Sequence, residues 1–318
     1  MKAAVVQAFS APPRYTDFAD PVAGEGEKLV RVAAAGLHPI VKALASGTHY
    51  GSTGELPFVP GVDGVGRTED GSRVFFGISR PPFGTFAELA LAASWMTLPL
   101  PEGLDDATAA GIANPAMSSW AALTRGQFVA GESVLILGAT GVAGQLAVQI
   151  AKRRGAARVV GAGRNPEALE KLRALGADAV IQLDQERDAL VAAFRSEFDH
   201  GIDVVLDYLW GAPAAAALQA IAKKGLRTAS KRVRFVQIGN SAGDPISLSA
   251  ATLRSSGLEL LGSGFGSASL QQLIAALAEF FQVAAKEPLN FSVKTASLSE
   301  VEGLWGTKEE GIRLVFQP

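Results

Sequence analysis

The feature that most constrains this chain is a rhythm between residues 133 and 262. Apolar runs of β type recur there at 134–137, 158–161, 179–183, 203–206, 234–238 and 258–261, and every gap is wide enough for a crossover helix. The gap at 166–175 shows the clearest helical periodicity, with Pro166 suited to a first turn and Gly176 to a stop. Six such runs alternating with helices imply one parallel, doubly wound α/β sheet.

The amino-terminal third reads differently. Short segments at 28–34, 73–76 and 85–92 lie between Gly and Pro clusters, a pattern that predicts a mainly antiparallel β domain. After the last parallel run come a helix at 270–285 and short β segments at 290–295 and 312–316. These pieces are too few to form a core of their own, so they are expected to complete the first domain. The expected division is 1–117 with 263–318 around 118–262.

Composition narrows the class. The chain of 318 residues has 48% hydrophobic and 19% charged residues, as expected of a fully folded protein of about two domains. A net charge of −2 with no basic stripe disfavours nucleic acid and anionic membranes, which leaves a small molecule as the expected partner. There is no cysteine, so disulfides, thiolate nucleophiles, iron–sulfur ligation and cysteine-held zinc are excluded; the same lack fits a reducing cytoplasm, the expected location. The amino terminus turns polar at Gln7, too early for the apolar core of a secretory signal. The uncharged stretch 133–151 contains three glycines and two glutamines and reads as strand, turn and helix rather than a membrane span.

That stretch holds the chemical motif. The run ending at Leu137 passes directly into Gly138-Ala139-Thr140-Gly141-Val142-Ala143-Gly144, followed by a helix expected over 145–154. Glycines spaced by three let the chain turn sharply, admit a pyrophosphate close to the backbone and let helix and strand pack tightly. The helix N-terminus then faces the phosphates, so Gly138, Thr140, Gly141, Val142 and Ala143 are candidate cofactor contacts. The next run ends in Gly161-Ala162-Gly163-Arg164-Asn165, where an NAD site usually carries an acidic residue for the ribose hydroxyl. A carboxylate would repel a 2′-phosphate, whereas Gly163 leaves room for one and Arg164 offers a fork of charged donors, with Asn165 beside it. NADPH is therefore favoured; the competing reading of Arg164 is an ordinary solvated arginine.

Several further segments carry a resemblance: the opening Met1-Lys2-Ala3-Ala4-Val5-Val6, then Ala35-Gly36-Leu37-His38-Pro39, Ser46-Gly47-Thr48, the run from Pro57 to Gly66, Gly84-Thr85-Phe86-Ala87-Glu88 and the glycine motif. Together they resemble the medium-chain dehydrogenase/reductase superfamily, and within it the zinc-free quinone oxidoreductase branch. The resemblance implies a GroES-like catalytic domain beside a Rossmann domain, and a homodimer. Zinc-dependent members place a cysteine where His38 sits and a histidine where Val62 sits, so no metal is expected here. Two readings of His38 stand: a hydrogen-bonding group for substrate or cofactor, or a packed histidine.

Without a metal, a donor must stabilise the charge that hydride addition places on a carbonyl or quinone oxygen. The tyrosines are at 15, 50 and 208. The segment beginning at Tyr50 is similar in spacing to the tyrosine-bearing loop of enoyl-thioester reductases in the same superfamily, which implies a catalytic donor; the alternative is a cleft wall or surface aromatic. Ser118 matches a small hydroxyl residue near the nicotinamide in the family, against a plain helix-start cap. By resemblance, Gly239, Asn240 and Phe265 hold the nicotinamide ribose and carboxamide, and Asp207 and Tyr208 touch the adenosine half. The expected reaction is metal-free hydride transfer from NADPH to a quinone or α,β-unsaturated carbonyl. An enoyl-thioester reductase and a non-catalytic NADPH-binding redox sensor are the alternatives. Short-chain dehydrogenase chemistry is disfavoured, because no tyrosine is followed four residues later by lysine: the residues there are Ala19, Gly54 and Ala212.

Overall fold

The computed structural model describes residues 1–49, 51–77, 79–222, 230–264, 266–267, 269–307 and 311–318. The chain divides into two compact units, Met1–Asn114 with Ala278–Pro318, and Pro115–Leu277.

The first unit opens with β1 (Lys2–Val5) and β2 (Arg14–Asp17), an antiparallel pair. The long β3 (Glu27–Gly36) follows, then α1 (Pro39–Ala45), β4 (Asp63–Thr68), β5 (Arg73–Gly77), β6 (Leu89–Ala93) and β7 (Thr97–Pro99). Only the second half of the segment expected as a strand over 85–92 is one. Its first half is a link, pinned where Phe86 N–H donates to Pro60 O and Thr85 Oγ1 donates to Asp63 O. The helix α2 (Asp106–Arg125) carries Pro115 in its interior, and the division between the units falls at that residue.

The second unit is the predicted alternation. It contains β8 (Ser133–Leu137), α3 (Val142–Arg153), β9 (Arg158–Gly163), α4 (Pro166–Ala174), β10 (Ala179–Gln182), α5 (Arg187–His200), β11 (Val204–Asp207), α6 (Gly211–Ile221), β12 (Arg232–Gln237), α7 (Ala250–Ser255) and β13 (Gly257–Gly262). Among the described residues these strands form one six-stranded sheet in the order β10-β9-β8-β11-β12-β13, with every pairing parallel. Its central strands are covered on both faces, which is why they read as unbroken apolar runs: Val134, Leu135, Ile136 and Leu137 are all fully buried. Leu135, Val160, Val205, Phe194 and Phe235 belong to one packed cluster. Full burial of each such side chain contributes about 1.5–3 kcal/mol.

After α8 (Leu270–Lys286) the chain adds β14 (Ser292–Ser297), α9 (Val301–Leu304) and β15 (Ile312–Gln317). β15 pairs antiparallel with β3 and parallel with β14, so the carboxyl-terminal strands extend the sheet of the first unit. Phe316 meets Phe86 there, ring centroids 5.6 Å apart, in a core shared with Val30, Val32 and Phe76. No helix among the described residues is long and apolar enough to cross a membrane.

Candidate functional site

The turn from β8 to α3 is built from backbone. Leu137 ends a buried strand, and Gly138 takes a left-handed φ of 86° that redirects the chain. A side chain at Gly144 would lie 2.2 Å from Gly138 O, so only glycine lets the helix pack this close to the turn. At Gly141 the opposite holds: a Cβ there would have only Gly138 O nearby, at 3.5 Å, and the residue is exposed. α3 begins at Val142, three residues earlier than expected, because Gly141 is its N-cap; no side chain caps it. Its first-turn N–H groups and its positive dipole end therefore face an open surface, the arrangement that receives an anion. Val142 and Ala143 are half-buried in that turn, and a pyrophosphate fits this cradle on the geometry of its glycines.

Thr140 and Gly163 explain each other. Thr140 is buried, and a Cβ on Gly163 would lie 2.5 Å from its Cγ2. Gly163 is thus required by packing between the end of β9 and the glycine turn. Arg164 follows it, exposed and without an ion pair among the described residues. Asn165 caps α4, its Oδ1 accepting from Glu167 N–H at 2.9 Å and Ala168 N–H at 3.1 Å, so that oxygen already serves the helix.

Across the sheet, β11 ends in Asp207, fully buried. Its Oδ1 accepts from Leu209 N–H and Trp210 N–H at 2.9 and 3.0 Å, while Oδ2 has no partner. Burial, opposed by those two bonds, pushes its pKa up to about 6. The turn it holds is tight: Trp210 has a φ of 55° and Gly211 one of 58°. Tyr208 stands between two glycine-dependent approaches. A Cβ on Gly138 would come within 3.4 Å of its Cβ, and one on Gly239 within 2.9 Å of its carbonyl oxygen. Gly239 is half-buried and Asn240 exposed beyond β12. Asp207 and Tyr208, expected to touch the adenosine half, follow β11, which lies on the opposite side of β8 from β9, whose end carries Arg164.

Ser118 is not a helix-start residue. It lies inside α2, half-buried, and its Oγ donates to Pro115 O at 2.7 Å. Sequence reasoning missed its neighbour Ser119, whose fully buried hydroxyl also reaches Pro115 O at 3.0 Å and meets the Tyr208 hydroxyl at 2.8 Å. Burial raises the pKa of Tyr208, partly offset by those serines. A serine pair alone gives no sequence signal for a phenol 89 positions away.

In the first unit, His38 is fully buried and does not present its ring for a substrate contact. Nε2 lies 3.2 Å from Asp63 Oδ1, within ion-pair distance but outside hydrogen-bonding geometry. Burial lowers the His38 pKa, outweighing the Asp63 carboxylate that raises it. Arg313 completes the group, donating to Leu37 O at 2.7 Å, and burial lowers its pKa to about 10. Tyr50 and Phe265 lie outside the described residues. Among those described, no group of three or more His, Cys, Asp or Glu is placed to hold a metal ion.

Comparison with known proteins agrees with this architecture. The family described as zinc-binding dehydrogenase matches residues 142–279. A probable NADPH-dependent quinone reductase of Emericella nidulans is 28% identical over the full length of both chains. Quinone oxidoreductase of Sus scrofa is 30% identical over 288 residues, covering 86% of this chain and 83% of that protein. The crystal structure of quinone oxidoreductase from Thermus thermophilus, also solved with NADPH, superposes with a TM-score of 0.80 at 28% identity, covering 100% of both chains. With a parallel sheet turning on a glycine loop, an antiparallel sheet completed by its own carboxyl terminus, and relatives matching along the length of both, the chain belongs to the quinone-oxidoreductase branch of the medium-chain dehydrogenase/reductase superfamily.

Proposed function

We propose that this protein is an NADPH-dependent oxidoreductase acting on a quinone or an α,β-unsaturated carbonyl without a protein-bound metal. The observation that carries the reading is Arg164, an exposed and unpaired guanidinium at the end of the second parallel strand, where a carboxylate would select the unphosphorylated ribose. The names of the Emericella nidulans and Thermus thermophilus relatives support the same cofactor.

When bound, NADPH supplies the hydride; the chain supplies binding and orientation. Gly138, Gly141, Val142 and Ala143 receive the pyrophosphate on backbone N–H groups, with Thr140 and Gly163 fixing the shape of that turn. Arg164 binds the 2′-phosphate, and Asn165 positions it by starting α4. Gly239, Asn240 and Phe265 hold the nicotinamide end, with Ser118 beside it. Tyr50 donates to the acceptor oxygen, by family resemblance alone. His38, sealed against Asp63, supports the catalytic domain instead of touching the acceptor.

The protein is proposed to act in the cytoplasm as a homodimer. Among the described residues β13 is the edge of its sheet, paired with β12, and Leu260 on it is 39% exposed, which suits pairing with its counterpart in a second copy. Calorimetry with NADPH and NADH, followed by NADPH consumption across a panel of quinones and enones, tests the function. Tight NADPH binding with turnover of at least one acceptor class is expected. NADH binding as tightly as NADPH, or no consumption with any acceptor, overturns it.

A further inference from the structure

Tyr208 and Ser119 form a hydroxyl pair that has no part in the reaction proposed so far. β11 ends at Asp207, whose Oδ1 ties down Leu209 N–H and Trp210 N–H, and the left-handed Trp210 and Gly211 turn the chain away at once. Tyr208 is therefore held at the mouth of the crevice between β8 and β11, where the strand order of the sheet reverses. Its backbone is clamped from the far side as well, since Ser241 Oγ donates to Tyr208 O at 3.0 Å. The side chain is half-buried, with its hydroxyl turned to α2.

The hydrogens around it can be counted. Ser119 has one hydroxyl hydrogen, and Pro115 O accepts it at 3.0 Å. With that hydrogen committed, the 2.8 Å contact requires Tyr208 to donate to Ser119 Oγ. Pro115 O has a second donor, Ser118 Oγ at 2.7 Å. Ser119 can therefore turn its hydrogen to the tyrosine without leaving Pro115 O unpaired, which frees Tyr208 to donate elsewhere. A buried pair locked into one arrangement would leave the carbonyl orphaned on rotation, at the cost of a lost hydrogen bond. Here the redundancy removes that cost.

The side of the sheet identifies the ligand group. Arg164 at the end of β9 marks the adenosine half, and β11 lies beyond β8 in the other direction. The geometry points to Tyr208 as a binding residue for the nicotinamide nucleoside of the cofactor, with Ser119 as its positioning partner. Ser119 rotates as the dinucleotide arrives, and the phenol passes from an internal to a ligand hydrogen bond. This rests on the NADPH reading of the same crevice.

Calorimetry with two ligands tests it: whole NADPH, and adenosine 2′,5′-bisphosphate, which lacks the nicotinamide nucleoside. One hydrogen bond corresponds to a change in Kd of about threefold to tenfold. Tyr208→Phe is expected to weaken NADPH by that factor and leave the bisphosphate unchanged. Ser119→Ala is expected to do the same to a smaller extent, and the double variant to be no weaker than Tyr208→Phe, because both remove one coupled device. Unchanged NADPH affinity in Tyr208→Phe, or equal losses for both ligands in both single variants, overturns the proposal. A parent protein that binds neither ligand overturns the NADPH reading itself, a distinct outcome visible before any variant is made.

Discussion

The crevice of the second unit and the charged cluster of the first both contain polar groups without partners, but for opposite reasons. Around Gly141 and Arg164 the unsatisfied groups are exposed: the first turn of α3 has no side-chain cap, and the guanidinium has no counter-ion among the described residues. Water satisfies them until an anion replaces it. Around His38, Asp63 and Arg313 the orphaned atoms are sealed in, including both ring nitrogens of the histidine and Nε of the arginine. These groups are closed to solvent, and they answer one another's charge, with Leu37 O accepting from Arg313 as well. The difference separates polar groups open to solvent from polar groups packed inside a fold.

The largest effect that would sharpen this contrast is expected at Asp63. Asp63→Ala leaves Arg313 as an uncompensated buried charge and should cost about 3–5 kcal/mol of stability. Urea unfolding measures the loss, and calorimetry of the surviving folded protein should give unchanged affinity for adenosine 2′,5′-bisphosphate. A lost affinity would break the separation between the two regions.

Asp207 is a sealed carboxylate in the second unit, so it tests whether the two regions obey one electrostatic rule. Its pKa rises from an ordinary 3.8 to about 6 on folding, so the native protein binds the proton more tightly than the unfolded chain. The resulting stability is complete below about pH 4 and is lost as the pH rises through about 6. Asp207→Asn should remove this component, raising stability relative to the parent by up to about 3 kcal/mol between pH 4 and pH 7. Unfolding curves across that range should therefore be flatter for the variant; parallel curves would refute the assignment.

Gly144→Ala drives a methyl group into Gly138 O and should cost about 1–3 kcal/mol, with weaker NADPH binding, by thermal unfolding and calorimetry. Smallest in stability is Arg164→Ala, an exposed change expected to leave the melting temperature alone. It should raise the Kd for NADPH about tenfold and leave that for NADH unchanged. Equal effects on both nucleotides would make Arg164 an ordinary surface cation.

How far each region can be read from sequence follows from the range of its interactions. The strands of the second unit were legible because burial on both faces makes Val134 to Leu137 a continuous apolar run, and the glycine turn is contiguous with it. His38 was ambiguous because the partner that seals it, Asp63, lies 25 residues along the chain on another strand, and no spacing rule connects them. Ser118 has a helix-start cap as one of its two readings, whereas it sits inside α2 with its hydroxyl, like that of Ser119, on the carbonyl of Pro115. The packing role of Gly163 was not legible, since only the folded turn brings Thr140 against it. Tyr208 needed the strand order before its side of the sheet could be assigned.

The bare start of α3 carries one more consequence. On the proposed binding mode that helix takes its cap from a visiting nucleotide, and the durability of the domain then depends on supply: at a hundredfold excess over Kd, occupancy adds about 2.7 kcal/mol against unfolding. The oxidised and reduced forms carry the same phosphates, so that gain follows the total pool of the dinucleotide rather than its redox state.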